Sequence, residues 1–367
     1  MRYLITGGGT GGHVNPGLAI AYEIQKRDPD AKILFVGTER GLESKLVPRA
    51  GFNIEYIDVR GFRRKLSLDT VKTVYRLLVS FGRINKILRS FKPDVVIGTG
   101  GYVCGPVVFR AALKKIPTLI HEQNAYPGVT NKILSRFVDT VAISFEESRP
   151  KFNGKNKIVM TGNPVRSELF TYNRDAAREK LGILNKKPLV VIFGGSLGAE
   201  TLNQCVVNML NASKGNLNFN LIYGTGMKHF DRVMSGITVD LPPEFRVEPY
   251  LYNMDEVLAA ADMVVSRSGA ITLGELGALG IPSILIPSPY VAENHQEHNA
   301  RAFERRGAAV VILESQLDHE ILLGQIQVLI QNRDLRLKMA NDAKKLGIRD
   351  AAESIYGLIL EITGKQG

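Results

Sequence analysis

Cysteine is nearly absent from this 367-residue chain. Cys104 and Cys205 are too few for a disulfide framework and give no cluster for zinc. Long apolar runs are missing as well, since no window approaches the roughly 18 uninterrupted residues of a membrane helix. The chain does not open with a charged stretch and a signal-type apolar run; RYLIT leads directly into glycine. These absences give the expectation of a cytosolic protein in a reducing compartment. What is present, 44% hydrophobic and 23% charged residues, is ordinary for a soluble globular chain. Its length exceeds the roughly 250–300 residues at which single cores stop growing, so two domains are expected.

Acid is scarce in one place. Residues 1–160 hold 26 Lys and Arg against 13 Asp and Glu, whereas the remainder holds 21 against 23. Within residues 60–92, ten basic residues face one acid, Asp69. Such a patch serves as a solvated face, a nucleic-acid site or an anionic membrane surface. Few stacking aromatics accompany the charge and no reader motif appears, so nucleic acid is not expected as a partner.

Short apolar runs alternate with helical patterns, the βαβ signature of parallel sheets with helices on both sides. RYLIT, KILFVG, NIEYIDV, DVVIG, PTLIHE and TVAIS read as strands of a first half. After GNP at 162–164 the pattern restarts with LVVIFGG, FNLIYGTG, FRVEPYL, MVVSRSG, PSILIP and AAVVI. Each half reads as a Rossmann-like unit, and Asp350 to Thr363 reads as a final helix able to pack on either. Three glycine loops follow strands: GGGTGGH (7–13), GTGGYVCGP (98–106) and GGSLGAE (194–200). Glycine lets the backbone approach phosphate or sugar, and N–H groups at a helix start bind anions. Gly7, Gly9 and Gly12 also match the dinucleotide fingerprint G-x-G-x-x-G, with Glu39 near the end of the second strand. A nicotinamide site there would leave the second half, with its own loop, without a purpose.

Candidate chemistry gathers after the strands. His13 stands at a helix start, where the dipole favours the neutral imidazole that accepts a proton near pH 7; capping or packing is its ordinary structural reading. Ser196 and a helix starting near Leu197 offer a diphosphate seat. In SRSGAITLGEL, Glu275 lies about two turns inside a helix, placed to accept a ribose diol. Asn294, His295, Gln296 and Asn299 suit sugar hydroxyls. Glu122, Gln123 and Asn124 follow the strand PTLI. Arg166, at the domain crossing, reaches a phosphate or makes a salt bridge. Asp28 and Asp30 read as a turn, and the spacing of His295 and His298 lacks a third ligand, so no metal site is expected.

GGGTGGHVNPGLAI, GTGGYVCGP, HEQNAYPGVTNK, GNPVR, GGSLGAE, SRSGAITLGEL and ENHQEHNA resemble, in the same order over almost the whole chain, the motifs of the MurG family. These are bacterial N-acetylglucosaminyltransferases that make lipid II, the peptidoglycan precursor. The resemblance implies an α/β GT-B fold, two Rossmann-like domains with parallel sheets facing across a deep cleft. Residues 1–162 with a C-terminal helix at about 347–363 would take the acceptor and the membrane, and 163–346 would take UDP-GlcNAc. It implies an inverting transfer to the muramyl 4-hydroxyl of lipid I, with His13 as base and Glu122 second. The implied donor set is Glu275 on the ribose, Ser196 and Arg166 on the diphosphate, the Leu251 backbone on uracil, and Ala270, Gln296 and His295 on the sugar. At His295 this chain departs from the family pattern, which carries glutamine there. Thr10, Gly11, Gly12, Tyr102 and Asn124 would hold the polyprenyl-diphosphate-linked muramyl-pentapeptide. No cofactor is implied. The basic amphipathic stretch 61–94, with Leu66, Leu68, Val71, Leu77, Leu78, Phe81 and Ile84, of which about half would pack on the sheet, would dock peripherally on anionic lipid at the cytoplasmic face of the inner membrane. That setting implies roles in cell-wall biogenesis, cell shape and division. The alternatives are a UDP-GlcNAc 2-epimerase and a non-catalytic UDP-sugar-binding scaffold of the division apparatus.

Overall fold

A computed structural model of the chain describes residues 1–59, 68–154, 156–195 and 198–365, with side chains undescribed over 68–78. It divides into two compact units, Met1–Val165 with Arg349–Gly367, and Arg166–Ile348. The first crossing, between Val165 and Arg166, falls just after GNP, where Asn163 is buried and its Nδ2 donates to Gln123 O at 3.1 Å. Gly347, in turn, stays with the second unit because it rests on the backbone of Gly277.

The first unit is a seven-stranded parallel sheet: β1 (Arg2–Gly7), β2 (Lys32–Gly37), β3 (Asn53–Tyr56), β4 (Val95–Gly100), β5 (Thr118–Glu122), β6 (Thr140–Ile143) and β7 (Lys157–Met160). Its order is β3-β2-β1-β4-β5-β6-β7. The central strands β1, β4 and β5 are apolar and almost wholly buried, as a sheet covered on both faces requires. Helices α1 (Gly11–Arg27), α2 (Glu43–Arg49), α3 (Leu68–Phe91), α4 (Cys104–Leu113) and α5 (Val129–Leu134) connect the strands. Strand β7 was not among the runs read from the sequence: KIVM is a four-residue edge strand, partly exposed throughout, with no long apolar run to announce it.

The second unit repeats the plan with six parallel strands: β8 (Leu189–Phe193), β9 (Asn220–Gly224), β10 (Phe245–Glu248), β11 (Met263–Ser266), β12 (Ser283–Leu285) and β13 (Ala309–Val311). Its order, β10-β9-β8-β11-β12-β13, is that of the first six strands of the other sheet. Helices α6 (Arg174–Lys180), α7 (Glu200–Ala212), α8 (Phe230–Gly236), α9 (Met254–Ala260), α10 (Ala270–Leu279), α11 (His295–Arg305), α12 (His319–Gln331) and α13 (Arg333–Leu346) surround it. The last helix, α14 (Ala351–Thr363), returns to the first unit, where Ile355, Leu358 and Ile359 join a core with Ile20 and Ile24 of α1. No helix among the described residues is long and apolar enough to cross a membrane.

Helices α10 and α13 meet backbone to backbone. A Cβ on Gly347 would lie 2.1 Å from the Gly277 carbonyl carbon, and neither partner is a flexible side chain that could yield. Gly347→Ala should therefore destabilise the second unit by about 2–3 kcal/mol, as overpacking of a rigid contact does, measured as a shift in the urea midpoint. An unchanged midpoint would show that the two helices separate freely.

Candidate active site

Ligands of open α/β sheets bind beyond the carboxyl ends of the strands, where the strand order reverses. In the first unit that point lies between β1 and β4, and both strands end in glycine. The two loops are locked together. A Cβ on Gly101, which has φ +82°, would lie 2.2 Å from Gly8 O, and one on Gly7 would lie 2.0 Å from Thr99 Oγ1. Gly8 N donates to Gly100 O at 3.3 Å. Helix α1 then begins at Gly11 with Thr10 as its N-cap and no side-chain cap on its first N–H groups. The first turn, Gly11–Val14, contains no carboxylate, and a Cβ on Gly11 or Gly12 would meet only open space and a distant polar atom. Free N–H groups at an uncapped helix start form an anion seat.

His13 lies at that turn with its ring against Gly100, whose added Cβ would be 2.7 Å from Nδ1. Nδ1 also faces Thr99 O at 3.1 Å and Gln123 Oε1 at 3.2 Å. Glu122 is buried and fully engaged. One carboxylate oxygen accepts from Asn124 N (3.0 Å) and Nδ2 (3.1 Å), the other from Gly128 N (3.1 Å) and Asn131 Nδ2 (2.8 Å). Four donors fill the four lone-pair positions of a carboxylate. Glu122 thus braces the 122–131 loop and holds Asn124 at the carboxyl end of β5. The Tyr102 hydroxyl is 3.3 Å from Thr38 Oγ1, and its ring lies under Gly9.

One residue here was missed by sequence reasoning. Glu43, 1% exposed, takes Gly9 N at 2.9 Å on one oxygen, and Thr38 N at 2.9 Å and Thr38 Oγ1 at 2.7 Å on the other. Gly8, Gly37 and Gly41 all crowd its side chain, leaving no room for a Cβ. Glu39, the acid weighed for a dinucleotide ribose, is exposed instead. The available signal was the glycine of GTERGLE just ahead of an acid in the βα connection of β2. Cys104 is buried and its thiol is pushed up to about 12 by burial, so it is inert as a nucleophile.

In the second unit the order reverses between β8 and β11. Ser196 lies outside the described residues. Helix α7 starts at Glu200, later than the start near Leu197 read from the sequence, because Gly194 and Gly198 first fold the loop against Ala199 N and Thr225 O. After β11, Gly269 is the N-cap of α10, and Ala270 is its first residue. The Ser268 hydroxyl donates to Gln296 O at 2.7 Å, and Gln296 Oε1 accepts from Ser288 N at 2.9 Å. These bonds draw the starts of α10 and α11 together. His295 Nδ1 bonds Ala292 O at 2.8 Å, which places its ring hydrogen on Nδ1. Leu251 packs its side chain on Gly224 at the end of β9, fixing the backbone that follows β10.

Two amides read as sugar ligands bond within the protein. Asn299 is fully buried and donates to Ser268 O at 3.2 Å, and Asn294 Nδ2 donates to Glu297 Oε2 at 2.6 Å. The half-buried pair of Arg267 and Glu314 ties the β11 loop to the segment after β13. Glu275, on α10, is partly buried, and burial pushes its carboxyl up to about 7 against the opposing pull of Arg166. Arg166 Nη2 is 3.7 Å from Glu275 Oε1 and is itself exposed, so it screens the carboxylate weakly. No group of three His, Cys, Asp or Glu among the described residues is placed to hold a metal ion.

The basic amphipathic stretch is only partly visible. Residues 60–67, with Leu66, and the side chains of Leu68, Val71, Leu77 and Leu78 lie outside the described set. Of the rest, Ile84 is core and Phe81 packs against it, whereas Val79 is exposed. A further apolar patch was not foreseen: Leu113, Val129, Ile133 and Phe137 are exposed around α5 and the end of α4, interleaved with Lys114, Lys115, Lys132 and Arg136.

With this geometry in hand, comparisons with known proteins add the following. The model of the glycosyltransferase family 28 N-terminal domain matches residues 3–143, and that of the C-terminal domain matches residues 189–355. An Acetivibrio thermocellus protein named UDP-N-acetylglucosamine--N-acetylmuramyl-(pentapeptide) pyrophosphoryl-undecaprenol N-acetylglucosamine transferase is 57% identical over 99% of this chain and 98% of its own. The crystal structure of Acinetobacter baumannii MurG superposes with a TM-score of 0.80 at 30% identity, covering 98% of this chain and 99% of that one. A Neisseria meningitidis UDP-GlcNAc 2-epimerase aligns at TM-score 0.67 and 15% identity, over 98% of this chain and 100% of that one, a likeness of fold alone.

The raised pKa of Glu275 has a sign that stability measurements can read. Between pH about 4.5 and 7 the folded chain keeps a proton that the unfolded chain releases, so stability falls as pH rises through that window. Glu275→Gln removes this component. The variant should gain on the wild type by on the order of 2 kcal/mol from pH 5 to pH 8 in urea titrations. Parallel curves would mean that Glu275 ionises as an ordinary carboxylate.

Proposed function

We infer that this chain, which belongs to glycosyltransferase family 28 in both of its domains, is the N-acetylglucosaminyltransferase that converts lipid I to lipid II in peptidoglycan synthesis. The observation that carries the chemical reading is His13, held at an uncapped helix start with Nδ1 on two oxygen acceptors and its other nitrogen on the far side of the ring. In this reading the muramyl 4-hydroxyl attacks the anomeric carbon of UDP-GlcNAc. A C–O bond forms on one face as the bond to the UDP oxygen breaks on the other, inverting the centre to a β-1,4 link. The hydroxyl proton passes to His13 Nε2, and the electron pair leaves with UDP. General-base help of this kind contributes about 10²–10⁴-fold. Glu122, with both oxygens engaged, serves by shaping the loop that presents Asn124.

The acceptor diphosphate is assigned to the N–H groups of Gly11 and Gly12 with Thr10 and Tyr102. The donor is assigned to the second unit: Glu275 on the ribose diol, Leu251 on uracil, Ala270, Gln296 and His295 on the sugar, and Arg166 with Ser196 on the diphosphate. Negative charge on departing UDP is then met by a helix start and a guanidinium, with no metal required. Because the acceptor is anchored in lipid, the chain would sit peripherally on the cytoplasmic face of the membrane. The apolar and basic patch around α5, together with the 61–94 stretch, suits an anionic surface.

Two measurements test this. With UDP-GlcNAc and a soluble lipid I analogue in excess EDTA, UDP release should require the acceptor and yield the β-1,4 disaccharide. His13→Ala should lower kcat by about 10²–10⁴-fold and leave the KM for UDP-GlcNAc within a few-fold. UDP release without acceptor would point to an epimerase and sink the transferase reading, and normal turnover in His13→Ala would remove His13 as base. Sedimentation with phosphatidylglycerol vesicles should pull the protein down at low salt, less so at high salt, and less in Ile133→Asp or Phe137→Asp. Equal binding to neutral vesicles would defeat the anionic-surface assignment.

A further inference from the structure

His13 is tied into a run of hydrogen bonds that extends well past the site. A carbonyl oxygen only accepts, so Thr99 O at 3.1 Å requires the ring hydrogen of His13 on Nδ1. Gln123 Oε1, at 3.2 Å, is the second acceptor for that hydrogen. The amide cannot be turned round. Gln123 Nε2 lies 2.9 Å from Thr99 O and 3.1 Å from His121 O, two acceptors that only an N–H end satisfies. The same Nε2 is 3.0 Å from His121 Nδ1 and donates to its lone pair. His121 in turn gives its Nε2 hydrogen to Gly162 O at 2.9 Å. Ser144 Oγ, 3.1 Å from that nitrogen, donates onward to Asn163 Oδ1 or Glu122 O. His121 is fully buried and burial pushes its pKa down to about 4, so the ring is neutral and keeps Nδ1 as an acceptor. Every direction in the run is therefore set by a backbone carbonyl, at Thr99, His121 or Gly162.

We propose that Gln123 and His121 are positioning residues that hold His13 in its Nδ1–H tautomer, keeping the lone pair that takes the acceptor proton on Nε2. The catalytic consequence rests on the reading of His13 as base, whereas the tautomer belongs to the resting protein. A neutral imidazole without fixed partners exchanges between two tautomers, and the one with hydrogen on Nε2 cannot accept a proton there. In a serine-protease triad, setting the histidine in the wrong tautomer costs about 10⁴-fold. Thr99 O is shared with the amide of Gln123, so the glutamine supplies both the second acceptor and the fixed rotation of the ring.

Heteronuclear NMR of the histidine-labelled full chain, with His13 assigned by its loss in His13→Asn, reads each ring nitrogen without turnover. The wild type at neutral pH should show a protonated Nδ1 and an unprotonated Nε2. Gln123→Met should show mixed tautomers, with kcat lower by about 10-fold or more and an unchanged KM for UDP-GlcNAc. A wild-type His13 protonated on Nε2, or mixed, would overturn the proposal even if Gln123→Met does not fold. So would a Gln123→Met chain that keeps both the single tautomer and the wild-type kcat. Absence of transferase activity in a wild type that shows the single tautomer would sink the proposed function and uphold the positioning of the ring.

Discussion

Two loops that approach too closely for any side chain hold the first unit's site in place. Gly101 rests on the carbonyl of Gly8, Gly7 on the Thr99 hydroxyl, and Gly100 on the ring of His13. Because Gly101 meets backbone and Gly7 and Gly100 meet buried or tethered side chains, the loops ending β1 and β4 cannot shift independently. The Thr99 hydroxyl adds a bond of 2.7 Å to His13 O, which fixes the start of α1 relative to β4. Thr99 O, Gln123 and the brace at Glu122 follow from that fixed point. Glu43 performs the matching task on the other side, gathering Gly9 and Thr38 onto one buried carboxylate. A buried carboxylate is costly unless its oxygens are bonded, and here each oxygen accepts from a backbone N–H. The arrangement is preorganised, since no side chain has to move for the helix start to be free.

The second unit uses the same topology with different electrostatics. Its central carboxylate, Glu275, is not satisfied by donors among the described residues as Glu43 and Glu122 are. Arg166 is at 3.7 Å and exposed, and burial dominates over it. A desolvated carboxyl short of hydrogen bonds is where a ligand that brings its own hydroxyl donors gains most, because it relieves a cost already present in the empty protein. The bonds that do form nearby, from Ser268, Asn299 and Gln296, join loop to loop and shape the surroundings.

The fold was legible because buried parallel strands are written as continuous apolar runs between glycine turns. Twelve runs read this way correspond to strands, and the omitted β7 is an exposed edge where burial no longer dictates composition. The motif residues Gly11, Gly12, His13, Tyr102, Glu122 and Asn124 lie at or just beyond the carboxyl ends of three adjacent strands. What the sequence could not convey is which polar side chain faces a ligand and which holds the scaffold. Asn299 and Glu122 carry the chemistry of ligand-binding side chains, and only their neighbours show their polar atoms bonded within the scaffold. Glu43 was invisible for the opposite reason: in ESKLVPR it has the composition of a surface helix, and three glycines distributed over two loops make its burial. Ile84 belongs to the part of the 61–94 apolar set that packs on the sheet, as expected of an amphipathic helix lying against it.

The return of α14 has a consequence for how the chain is made. Ile355, Leu358 and Ile359 complete the core around Ile20 and Ile24, yet they lie beyond the whole of Arg166–Ile348. During synthesis the face of α1 that receives them stays wet while the second unit is translated. That second unit is contiguous in sequence. Domains made from the amino end usually fold in the order they emerge. Here the core of the amino-terminal unit is completed only by a helix translated after the whole of the second unit.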